Sequence, residues 1–138
     1  MAFFAAMLFN TAVAQKKGSA KKNKSTLTET NDIVIKYGLA SFYADKFHGR
    51  KTASGENYHR DKLTAACNML PLNTWVKVTN TSNDRSVIVK INDRLHSKNK
   101  RLVDLSFSAA KELGYISKGL TKVKVEVLHD FEIGMNIP

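Results

Sequence analysis

Four stretches of the chain read as strands, three of them by alternating apolar and polar residues, the period of two that marks a strand with one buried face. The first runs from Val34 to Tyr43 and is interrupted by Gly38, which predicts a bulge or a close approach by another segment. Trp75 to Thr79 is the second, and Asn80–Asp84 supplies turn residues behind it. The third, Arg85 to Ile91, sets Val87, Val89 and Ile91 on one face. In the fourth, Thr121 to Val127, Val123, Val125 and Val127 share a face while Lys122, Lys124 and Glu126 point away. Between the third and fourth the spacing turns helical. Phe107, Ala110 and Leu113 stand at i, i+3 and i+6, Ser106 can cap the start, and Gly114 suits the exit. Residues 44–62, rich in Gly, His, Lys and Asn, read as an irregular loop layer. Strands, one short helix and a final strand predict a mainly β fold, a small barrel closed on itself; repeated βαβ units do not fit that order.

The ends follow a different pattern. Residues 1–14 carry no charge, hold an apolar stretch from Ala2 to Phe9 and close on Ala12-Val13-Ala14. Small residues at that spacing predict a secretory signal cleaved before Gln15, with a buried N-terminal helix as the alternative. Residues 15–33 read as a flexible linker, five lysines and one glutamate falling within 15–30. The folded domain is expected over 34–129, with 130–138 as a C-terminal extension. Across 138 residues, 22 Lys+Arg against 12 Asp+Glu give a net charge of +10. An exported chain of that charge meets anionic envelope polymers and lipid head groups, which its field attracts. The single cysteine, Cys67, excludes an internal disulfide and Cys-rich zinc modules. No apolar run reaches the ~20 residues of a bilayer span. No nucleic-acid module, phosphate-binding loop or Ser-His-Asp arrangement is present, and no cofactor is expected.

Polar residues suited to chemistry gather at Phe47–Glu56, Leu63–Leu72 and Ile91–Arg94. Asp93 ranks first. A carboxylate ending a buried strand can be partly desolvated and so retain a proton for the leaving oxygen of a glycosidic bond. The plainer reading is that it turns the chain and pairs with Arg94 or nearby backbone. Glu56 is either a second carboxylate or a surface charge. His48 either orients a ligand or bonds to loop backbone. Tyr43, Tyr58 and Trp75 form a stacking surface for sugar rings or pack the rim. Asp104 favours the helix start electrostatically. His48, Cys67 and His96 lack metal-ligand spacing, so no metal site is expected.

Taken together, Gly38–Tyr43, Phe47–Glu56, Leu63–Ala66, Leu70–Leu72, Val76–Asn80, Val89–Arg94 and Val103–Ser106 resemble the rare lipoprotein A (RlpA) family in order and spacing over about residues 37–128. The resemblance implies a six-stranded double-psi β-barrel with one or two short helices, similar to the barrels of expansins and family 45 endoglucanases. It implies an envelope or periplasmic protein acting on peptidoglycan glycan strands as a lytic transglycosylase, one preferring strands stripped of stem peptides. The family's catalytic positions fall on Glu56, Asp93 and Cys67. At the last of these the family usually has histidine, and a thiol is the poorer hydrogen-bond partner. The family's Gly-Pro after Asp93-Arg94 is replaced by Leu95-His96. His48, Arg94, Tyr43 and Thr52 are the expected substrate-binding residues, with Lys51 beside Arg94. Cell-division or envelope proteins are the expected partners. The alternatives are a non-catalytic, expansin-like peptidoglycan-binding module and a structural partner of division proteins.

Overall fold

The computed structural model describes residues 33–129; the expected signal, the linker up to residue 32 and the extension at 130–138 lie outside them. Six strands close into one ring: β1 (Ile35–Phe42), β2 (Thr64–Ala66), β3 (Trp75–Asn80), β4 (Ser86–Asp93), β5 (Val103–Leu105) and β6 (Thr121–Val127). Around the barrel the order is β1-β5-β2-β4-β3-β6. The β1–β5 and β2–β4 pairs are parallel and the other neighbours antiparallel. β3, β4 and β6 stand where the alternation places them, and β1 falls within the Val34–Tyr43 stretch, with Ile35, Tyr37 and Leu39 exposed. β2 and β5 have three residues each, too few for a period of two to show.

The alternating apolar positions fill the ring. Val76 and Val78 from β3, Val87, Val89 and Ile91 from β4, Val103 and Leu105 from β5, and Val123 and Val125 from β6 are all buried. Each such side chain contributes about 1.5–3 kcal/mol on leaving water. One end of the core is covered by α1 (Phe107–Leu113) through Ala109, Ala110 and Leu113. Ser106 accepts from the Ala109 amide as N-cap, and Gly114 ends the helix at φ 76°. Buried Asn80 donates to the Leu113 carbonyl at 2.9 Å, satisfying a helix-end acceptor that packing would otherwise strand.

Gly38 is a close-approach position: a Cβ there would lie 2.6 Å from Leu102 Cβ. Between β2 and β4 the register shifts, so Ala65 opposes Ile91 but Ala66 opposes Asp93. That bulge, with Asn92 as the extra residue, places Asp93 in a lateral row across four strands. In the row, Ser41 pairs with Asp104, Asp104 with Ala66, and Ala66 with Asp93.

Candidate active site

The row opens onto a cavity of about 510 Å³ at the end of the barrel where β1, β5, β2 and β4 meet. Ala66 is small, so the two carboxylates flanking it share an open floor. Tyr43, Phe47 and Tyr58 form an aromatic wall; Arg50, Lys51, Arg94 and Arg101 bring positive charge, and His96 and Asn99 complete the rim. Tyr43 packs on Tyr58 at 4.3 Å between ring centroids and on Phe47 at 5.9 Å. Trp75 lines a separate depression, and Tyr58, which is buried, packs against Tyr43 in this wall.

Asp93 is half-buried and held by three donors. Its Oδ1 accepts from the backbone amides of Ala53 at 2.9 Å and Arg94 at 2.8 Å. Its Oδ2 accepts from the Tyr43 hydroxyl at 2.6 Å. The two oxygens therefore differ in kind. Backbone N–H groups can only donate, so Oδ1 must remain an acceptor. A phenol can donate or accept, so a proton arriving on Oδ2 has a partner waiting. Burial, and then the Asp93 carboxylate beside it, push the Tyr43 phenol well above the usual tyrosine range. Tyr43 stays protonated wherever the protein works.

The other expected site residues are dispersed. Arg94 lines the cavity, but its Nη1 donates to the carbonyls of Cys67 and Leu70, tying the 67–70 segment to the end of β4. Glu56 lies in a neighbouring depression of about 330 Å³ with Trp75 and Lys90, its Oε1 2.8 Å from Lys90 Nζ. That hydrogen bond holds the Glu56 carboxyl below the usual carboxylate range. Thr52 is buried and binds the Glu56 carbonyl at 2.8 Å, closing the turn that carries Ala53. His48 is exposed and its Nδ1 accepts from the Arg60 amide at 3.2 Å, the backbone-bonded loop histidine. Cys67 is fully buried in the hydrophobic cluster; its amide donates to the Asp93 carbonyl at 3.1 Å while the thiol does not line the cavity. Among the described residues no three His, Cys, Asp or Glu side chains are gathered to hold a metal ion.

The family profile described as lytic transglycolase matches residues 35–125. The chain belongs to the lytic transglycolase family. Several of its relatives bear the name endolytic peptidoglycan transglycosylase RlpA. The Haemophilus influenzae protein is 56% identical over 118 residues, covering 84% of this chain and 41% of that one. The Pasteurella multocida protein is 43% identical over 125 residues, covering 88% and 42%. The chain thus spans about two-fifths of the length of these relatives. Among solved structures, the Streptomyces papain inhibitor superposes with TM-score 0.56 at 21% identity, covering 70% of this chain and 96% of that one. The Clavibacter michiganensis expansin gives TM-score 0.56 at 20% identity, covering 70% and 52%. These likenesses identify the ring as the double-psi β-barrel that the resemblance to RlpA implies.

Within this lytic transglycolase domain two cavity residues escape sequence reasoning. Asp104 lies mid-β5 rather than serving the helix start, and Arg101 grips it, Nε to Oδ1 at 2.7 Å and Nη2 to Oδ2 at 2.9 Å. Those hydrogen bonds raise the Arg101 guanidinium further above its usual range. The spacing Arg-x-x-Asp is visible in the sequence, but only the strand register shows that the pair stands across Ala66 from Asp93.

Proposed function

We propose that this domain is a peptidoglycan lytic transglycosylase cleaving the β-1,4 bond between N-acetylmuramic acid and N-acetylglucosamine, with Asp93 as its acid and base. Asp93 Oδ2, when protonated, donates to the glycosidic oxygen as the bond to muramic C1 breaks. The resulting carboxylate then takes the proton of the muramic C6 hydroxyl as that oxygen closes on C1, forming a 1,6-anhydro ring. No water is consumed, and Asp93 regains its proton. One carboxylate suffices because the nucleophile belongs to the substrate, whereas glycoside hydrolysis by water usually needs two. Tyr43 keeps Oδ2 aimed and accepts its proton's hydrogen bond between turnovers.

The observation that carries this reading is Asp93 itself: one oxygen pinned by amides, the other shared with a reversible phenol, at an open cavity with an aromatic wall. Glu56 serves the glycan strand along the Trp75 depression, since the 52–56 turn has Ala53 on Asp93 at one end and Glu56 on Lys90 at the other. An exported, envelope location and contact with other envelope or division proteins belong to the same reading. The chain should release 1,6-anhydro products from amidase-treated sacculi, and Asp93→Asn should abolish them; mass spectrometry of the soluble fraction decides.

The second reading is a non-catalytic glycan-binding module of the expansin kind. The Cys67 thiol in the core and Glu56 in its ion pair favour it, because both leave Asp93 without a second proton-handling side chain. Retention on sacculi with no released anhydro product would establish it.

A further inference from the structure

We propose that the start of β1 is a self-pairing edge: two copies of this chain associate by laying residues 33–37 of one antiparallel to the same residues of the other. The ring of strands closes, yet its two sides at β1 are unequal. β6 pairs with β1 from Ile35 to Ala40, whereas β5, three residues long, meets only Ala40 to Phe42. Below that point one further bond crosses, from the Leu102 amide to the Leu39 carbonyl at 2.9 Å. The Val127 amide donates to the Val34 carbonyl at 3.0 Å, and this sets the alternation. Val34, Lys36 and Gly38 turn their backbone groups toward β6, while Ile35 and Tyr37 turn theirs away from it. Among the described residues no backbone hydrogen bond reaches the amide or carbonyl of Ile35 or Tyr37.

The side chains on this open edge are apolar. Ile33 is 62% exposed, Ile35 43% and Tyr37 71%. Lys36 alternates to the opposite face, and the lysines of β6 stand one strand back, Lys124 opposite Tyr37 and Lys122 opposite Leu39. Folded proteins guard free edges with charge or proline; the outward positions 33, 35 and 37 carry neither.

Backbone and side chains together select the occupant. A lipid surface would cover the side chains and leave the amides and carbonyls unpaired. Another strand satisfies both. The stretch is also complementary to itself. With Ile35 of one copy opposite Ile35 of the other, Ile33 meets Tyr37 at each end, and on the other face Val34 meets Lys36. No like charges oppose each other in that register. Its pairs at 33, 35 and 37 are of the hydrogen-bonded kind, which uses the groups that β6 leaves open. Because the strands run antiparallel, the two cavities, each reached at Tyr43 beyond the far end of its own β1, face away from the seam and stay accessible.

So short a seam falls below the about 1,200–2,000 Å² of a lasting complex, so the pair forms reversibly as concentration rises. Sedimentation velocity of the full chain between about 10 μM and 1 mM should show monomer giving way to dimer. Each copy carries +10, so added salt should favour the dimer. Ile35→Lys and Ile35→Glu each set like charges face to face at the centre of the seam; both should stay monomeric while keeping the parent's circular dichroism. Mixed one to one, they should pair again, about tenfold more tightly than either alone. A parent chain that stays monomeric to about 1 mM overturns the inference. A dimer that persists in Ile35→Lys is joined elsewhere and overturns it too, as does a mixture that fails to pair. Monomeric binding to vesicles of anionic lipid, lost in Ile35→Glu, would assign the face to a membrane and overturn it as well.

Discussion

Replacing Tyr43 by phenylalanine removes one hydroxyl from the cavity and leaves the ring that packs on Tyr58 and Phe47. The lost contact is the 2.6 Å hydrogen bond to Asp93 Oδ2. Hydrogen bonds to charged groups contribute about 1.5–3 kcal/mol. Each 1.36 kcal/mol of transition-state stabilisation is tenfold in rate, so kcat should fall about ten- to a hundredfold. KM should hardly move, because the aromatic wall of the cavity is retained. Folding should weaken by no more than that same amount, about 1.5–3 kcal/mol, since Oδ1 keeps both amide donors. The assay is the initial rate of anhydro-product release from amidase-treated sacculi, with thermal unfolding measured in parallel. A Tyr43→Phe protein that folds normally and turns over within about twofold of the parent would refute the role given to this phenol.

Three further outcomes follow from the geometry. Gly38→Ala should cost about 1–3 kcal/mol in urea unfolding, because the new methyl meets Leu102 Cβ at 2.6 Å; Leu102→Ala should not rescue it, as the colliding atom remains, whereas Leu102→Gly should. Glu56 has a folded pKa below its ordinary 4.5, so its pair with Lys90 contributes stability above that pH and loses it as pH falls through the lower folded value. Glu56→Gln should therefore lose about 0.2–1 kcal/mol near neutrality and show a flatter acid limb, read from urea midpoints along a pH series. The lone thiol of Cys67 is sealed in the core, so disulfide reagents should label it at the rate of global opening, and Cys67→Ser should cost about 1–3 kcal/mol by burying a hydroxyl.

Alternation made β3, β4 and β6 legible, and Ser106 and Gly114 marked both ends of the helix because capping is local chemistry. β2 and β5 were legible only through the resemblance to RlpA; three residues carry no period, and their place depends on partners far along the chain. Asp93 could be singled out as a polar residue ending an apolar strand. Its holder, Tyr43, lies 50 positions away and follows from ring closure alone. The loop residues were harder still. Whether Glu56, Thr52 and His48 face the cavity is decided by turn hydrogen bonds at Gly55, Ser54 and Arg60, which leave no hydropathy signal. Cys67 follows β2, and its burial reflects how the barrel end packs. Asp104 was misplaced because an acid just before a helix also suits the helix dipole, and only the register resolves the two roles.

The row from Ser41 through Asp104 and Ala66 to Asp93 draws each member from a different strand. No contiguous fragment of the chain contains a forerunner of the cavity, and the circle is completed only when β6 pairs with both β1 and β3. Pairings across such sequence separations are the slow events of folding. A cavity built this way is missing from every unfinished form of the barrel and arrives with ring closure, so binding at it would itself report that the barrel has closed.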